Sequence, residues 1–267
     1  MQINLSVESP ASANDRGPVS VGWFLTQDKG AVLFAPPERL GSRQTNRAHA
    51  KSAARCPAVI QMESRYFVLP CPYDIHLGFA RDDKGRAQLV NRAGIASPIR
   101  ASKLAEVVTL VSEAEWRFPD RPTVQMVLPY CFIADEPVWL TQVGCFAHYR
   151  PSPLPGTLFG GRMPIHVWPR PLMWAFEWHD PARDIVLQRG EPLFYVQFEA
   201  SGPDRPIQLI EAERTPALSA YLDSLSGVVN YVSQTFSLLQ AAEALRPATL
   251  LTPKRRWDAG GPGGAAR

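Results

Sequence analysis

The chain has 267 residues, 45% of them apolar and 20% charged, with a formal net charge of +3. That length makes one large domain, or one domain with an appendage, and its core needs no covalent staples. The charge is too small to imply nucleic acid by itself, no apolar run approaches the ~18 residues that cross a bilayer, and 26 prolines argue against a mainly helical protein.

Residues 1–18 are polar and read as a flexible start without a basic, apolar-cored leader. The four cysteines, Cys56, Cys71, Cys131 and Cys145, form no CxxC pair, so they read as reduced, mostly buried thiols of a cytoplasmic protein. Val19, Val21, Trp23 and Leu25 alternate with Ser20, Gly22 and Phe24, a strand pattern. A short strand is expected at 31–34, and residues 40–55 read as helix or ordered loop. Residues 59–69 read as a strand, stopped by Pro70-Cys71-Pro72. Tyr73, Ile75, Leu77 and Phe79 then alternate with Asp74, His76 and Gly78, which predicts a strand with Asp74 and His76 together on its outer face.

Residues 101–116 predict a short helix, weakened by β-branched residues. Residues 123–133 and 138–147 read as strands joined by a hairpin turn at Ala134-Asp135-Glu136-Pro137. Residues 150–164 read as a long Pro/Gly loop. Further strands are expected at 165–168 continuing to 173–178, at 184–188 and at 192–199. Thr215 is suited to cap a helix and Pro216 to open it. Leu218, Leu222, Leu225, Val229, Val232, Phe236 and Leu239 then follow in steps of four and three, a heptad seam up to Arg246-Pro247. That seam packs on its own chain or pairs with a copy of itself, and Gly227 marks a bend.

Three constellations point to chemistry. Trp139, Trp168, Trp174 and Trp178 offer an aromatic groove near the 150–164 loop, with Arg162 and Arg170 at its rim, suited to a flat or anionic ligand or a peptide. Arg39, Arg43, Arg47, Lys51 and Arg55 recur every four residues with no acid between Glu38 and Glu63; on a helix they form a slanting cationic ribbon for phosphate or nucleic acid. Glu177 and His179, two apart on a strand, with His148 and His166 nearby, are the candidate ligands of a non-haem metal. Against nucleophilic catalysis stand the missing G-x-S-x-G elbow and phosphate-binding glycine loops.

Arg55-Cys56-Pro57, followed by Leu69-Pro70-Cys71-Pro72-Tyr73-Asp74-Ile75-His76-Leu77, resembles a signature of an uncharacterised family of bacterial and phage proteins. Residues 184–198, DIVLQRGEPLFYVQF, resemble that family's closing motif, which is similar to the last core hairpin of deoxyuridine triphosphatase-type β-folds. The resemblance implies a compact jelly-roll-like β-core, trimeric or dimeric. It does not carry the nucleotidase: Gly161–Trp168 holds no carboxylate where that enzyme class keeps its water-activating aspartate.

The expected architecture is therefore mainly β, a jelly-roll-like sandwich or flattened barrel over 19–210. A short helix, a long amphipathic C-terminal helix over 211–247 and a disordered tail over 248–267 complete it. The expected function is a non-enzymatic binding or accessory role through the aromatic groove, with self-association through 215–246. A double-stranded β-helix oxygenase and a phosphate or nucleic-acid binder are the alternatives, and the cofactor is left open.

Overall fold

Period-two alternation makes strand the most abundant regular element of the chain. The computed structural model describes residues 17–41, 49, 51–202 and 205–254. In chain order the strands are β1 (Val19–Leu25), β2 (Glu38–Arg39), β3 (Tyr66–Pro70), β4 (Ile75–Arg81) and β5 (Ala87–Asn91). Then come β6 (Thr109–Leu110), β7 (Thr123–Val127), β8 (Tyr130–Ile133), β9 (Val138–Val143) and β10 (Gly156–Leu158). The last are β11 (Gly161–Pro164), β12 (Met173–Trp178), β13 (Ile185–Leu187), β14 (Pro192–Ala200) and β15 (Ile207–Glu211). The helices are α1 (Pro57–Arg65), α2 (Leu104–Val107), α3 (Pro216–Leu225) and α4 (Leu239–Leu245).

Strand makes up 34% and helix 23%, so the fold is mainly β as the patterning implied, and among the described residues no barrel closes. Among the described residues four sheets pack together, in the orders β15-β1-β8, β10-β12-β7-β6, β11-β9-β14-β3-β2 and β13-β4-β5. One continuous core runs between them, from Val21, Leu69 and Leu77 through Trp174, Trp178 and Phe198. The sheet around β1 is buried on both faces. Trp23, Tyr130 and Phe132 face that core, while Phe24, Cys131 and Ile133 face a second cluster with Leu218, Tyr221, Leu225 and Leu250. Gly22 lets the C-terminal layer approach: a Cβ there would lie 2.8 Å from Ile133 Cγ1 and 3.1 Å from Ala212 Cβ.

The C-terminal layer is latched by polar groups. Arg246 donates to the carbonyls of His166 and Asp135, each at 2.7 Å. Asp135 Oδ1 accepts from Leu250 N (2.6 Å) and Leu251 N (3.2 Å). The Tyr221 hydroxyl sits between the carbonyls of Val167 (2.5 Å) and Ala242 (3.1 Å). Burial raises the pKa of that phenol, so the hydroxyl stays a donor.

Several local expectations change. Residues 31–33 form a 3-10 turn entered through Gly30 at φ 73°, not a strand. Residues 57–65 are helix, because Pro57 at the first position pre-sets helical φ, and only Tyr66–Pro70 of the expected strand remains. The helix expected over 101–116 shrinks to α2, since Val108, Thr109 and Val111 favour extension and β6 pairs with β7. Ala134–Pro137 is no hairpin: β8 pairs with β1, β9 with β11 and β14, so these residues cross between sheets. The 150–164 loop contains β10 and β11. Residues 165–168 are a turn, with Trp168 N donating to Pro164 O at 2.7 Å.

The long C-terminal helix is not continuous. Thr215 caps α3 as expected, its Oγ1 accepting from Leu218 N at 3.1 Å. At Gly227 the backbone turns left-handed (φ 68°), and two 3-10 turns, Val228–Asn230 and Thr235–Leu238, precede α4. Residues 248–254, assigned to the tail, pack instead: Leu250 is buried and Pro253 bridges to Ala212.

Candidate functional site

A deep concavity lies where β9 ends and the chain loops over residues 144–155 before β10. It encloses about 770 Å³, within the range of small-molecule sites. Trp174, Phe176 and Leu193 form its floor, and Leu154 and Leu158 its sides. The rings of Trp174 and Phe176 lie 5.0 Å apart and 10° from parallel. Phe146 and Tyr149 flank the opening, 55% and 82% exposed.

The loop is held by bonds to the start of β14. Arg150 pairs with Glu191 Oε2 at 2.9 Å and donates to Pro192 O at 2.6 Å. Cys145 Sγ donates to the same carbonyl at 3.4 Å. Phe146 packs edge-on against Tyr66 and Tyr195, with centroids 5.3 and 5.2 Å away. Arg150 is thus neutralised, and burial pushes the Cys145 thiol up to about 12 despite the Arg150 charge. A thiol of that kind is no nucleophile near neutral pH. Gly156 belongs to the wall for a steric reason: a Cβ there would fall 2.0 Å from the Glu177 carbonyl.

The four tryptophans do not form one groove. Trp174 and Trp178 belong to the core, and the Trp178 indole donates to Arg183 O at 2.9 Å. Trp174 alone reaches the cleft. Trp139 lies on the outer face of β9 under the Arg162 guanidinium, 4.3 Å from the ring centroid, and Arg162 pairs with Glu199 at 2.7 Å. Trp168 and Arg170 line a separate hollow beside α3. Arg150, not Arg162 or Arg170, is the arginine at the cleft. The missed residues cluster in Cys145–Arg150; the available signal was an aromatic run, Phe146-Ala147-His148-Tyr149, set before three prolines.

The expected metal ligands separate too. Glu177 Oε1 lies 3.0 Å from His179 Nε2 and 3.4 Å from Arg121 Nη1. His166 turns Nδ1 to the Val138 carbonyl at 3.0 Å, and His148 lines the cleft. Among the described residues no three His, Cys, Asp or Glu side chains gather to hold a metal ion. The Arg121 cation also sits where it opposes one. Thr157 Oγ1 lies 3.2 Å from His179 Nε2, the nitrogen that already meets Glu177. A proton relay needs acid and hydroxyl on opposite ring nitrogens, so this trio is not one.

In the basic ladder, Arg43 and Arg47 lie outside the described residues. Arg39 is taken up by Ser64 O and Ile207 O and stacks over Phe67. Lys51 and Arg55 are exposed, Arg55 ending a 3-10 turn rather than lying on a helix. No helix among the described residues is long and apolar enough to cross a membrane.

No protein-family model matches the chain, and no curated protein matches it.

Proposed function

We propose that the chain is a non-enzymatic binding protein whose ligand occupies the cleft beneath loop 144–155. One observation carries this reading: a concavity of about 770 Å³ with a stacked Trp174–Phe176 floor, whose arginine and thiol are already consumed by structural bonds. Such a surface selects by shape and apolar area, which suits a flat, largely apolar molecule and not an anion. The raised Cys145 thiol and the paired Arg150 support binding over turnover. Four free cysteines support a reducing compartment such as the cytoplasm.

The test is a titration with the uncharged dye N-phenyl-1-naphthylamine, read by its fluorescence and by quenching of tryptophan. Leu154→Trp, which fills the cleft from the loop side, should weaken binding at least tenfold while leaving the urea midpoint in place. Unchanged affinity in a folded Leu154→Trp protein overturns the cleft as the site.

A second reading, self-association through residues 215–246, is favoured by apolar side chains that this segment leaves in solvent.

A further inference from the structure

Ser224 through Ala242 carries no charged residue. Within it Val229, Tyr231, Val232 and Phe236 are 64%, 87%, 41% and 68% exposed. A charge-free, solvent-facing apolar stretch is costly for a lone molecule and typical of the centre of an interface.

Beside this stretch lies a hollow of about 310 Å³, floored by Trp168, Pro169, Leu222 and Leu225 and closed by Val228. Arg170 and Asp223 both stand at its edge, both are exposed, and neither charged side chain pairs with the other or with any other described residue. The third charge there, Arg214, already donates to Thr26 O at 2.9 Å. The exposed stretch thus carries protruding aromatics and, through Val228 and Val229, borders a hollow able to receive such a side chain, with two unpaired charges of opposite sign at its edge. Those are the elements of a self-complementary contact: under a two-fold axis the same patch serves both subunits, and each residue i that meets j is matched by j meeting i.

Resting on the self-association reading, we propose that the chain forms a two-fold homodimer through this face. Tyr231 and Phe236 of one copy seat against the hollow of the other, and Asp223 pairs with Arg170 across the axis in both directions. The charge pairing is what selects a second copy over an unrelated apolar partner: the patch supplies its own counter-charge. A segment free of repulsion along its length can approach its copy without the like-charge cost that keeps most surfaces apart.

Sedimentation velocity of the full chain from 1 to 100 µM tests this. A dimer is expected, with Phe236→Asp raising the dissociation constant at least tenfold and leaving the far-ultraviolet spectrum unchanged. Asp223→Arg and Arg170→Asp should each weaken the dimer, and the double variant Asp223→Arg/Arg170→Asp should recover most of the loss. A wild-type monomer at 100 µM overturns the self-association reading itself. A dimer indifferent to Phe236→Asp and Tyr231→Asp overturns this face as the contact. A dimer that is broken by Phe236→Asp but not recovered by the charge swap overturns the two-fold arrangement.

Discussion

The two halves of the C-terminal segment share one spacing and meet opposite fates. Leu218, Leu222 and Leu225 pack against the sheet around β1, while Val229, Val232 and Phe236, the next rungs of the same ladder, stand in solvent. Periodicity defines a buried face only as long as one helix carries it. Gly227 ends α3 in the left-handed region, and beyond it two short 3-10 turns separated by the non-helical residues 231–234 break the register that carried the seam. The first rungs are therefore a stabilising element and the middle ones a surface, before Leu239 and Ala242 in α4 return to the core.

Substitutions across the two halves sharpen that contrast. The largest effect is expected at Leu218, fully buried in the second core: Leu218→Ala should lower the unfolding free energy by about 2–5 kcal/mol in urea. A loss under 1 kcal/mol would mean that α3 is not part of the core. Next comes pH. Cys131 faces the same cluster, and burial pushes its thiol from an ordinary 9.0 up to about 12. Its contribution is fully present below the ordinary value and is lost as pH rises from there through the folded one. The wild type should thus lose about 1 kcal/mol more than Cys131→Ala for each pH unit between 9 and 11, read from urea midpoints; parallel pH profiles would remove the thiol from the account.

Thr215→Ala, which deletes the cap on Leu218 N, should cost about 1 kcal/mol. Gly227→Ala should cost about 1 kcal/mol through the left-handed backbone it must adopt. If Gly227→Ala stabilises the protein instead, the break after α3 is not fixed by backbone geometry. The smallest effect belongs to the exposed half: Val229→Ser, measured at a concentration where the chain is monomeric, should stay within about 0.5 kcal/mol.

What the sequence showed, and what it hid, follows the range of the interaction involved. Strands such as Val19–Leu25 and the run from Ile75 were legible because alternation is a local property. The capped start at Thr215-Pro216 was legible for the same reason. Ala134–Pro137 looked like a tight turn because its composition is that of one. Its actual role depends on distant partners: Asp135 holds Leu250 and Leu251, and Glu136 pairs with Arg205, a buried guanidinium that also reaches Gly17 O. The aromatic content announced a groove but not its members. Trp178 is buried and of the four only Trp174 reaches the cleft, while Phe176 of β12 and Phe146 and Tyr149 of the 144–155 loop complete it from two segments that only tertiary structure brings together.

The parallel pairing of β1 with β15 sets an order on biosynthesis. Val19 aligns with Ile207, so β1, once it has left the ribosome, waits for a neighbour about 190 residues downstream. At bacterial or eukaryotic elongation rates of about 5–20 residues per second that delay is about 10–40 seconds. Throughout it, one edge of β1 remains open on the nascent polypeptide. Exposed edges of this kind are where chaperones engage and where neighbouring chains on a polysome entangle, so yield in a cell should respond to translation speed more than the finished fold would suggest.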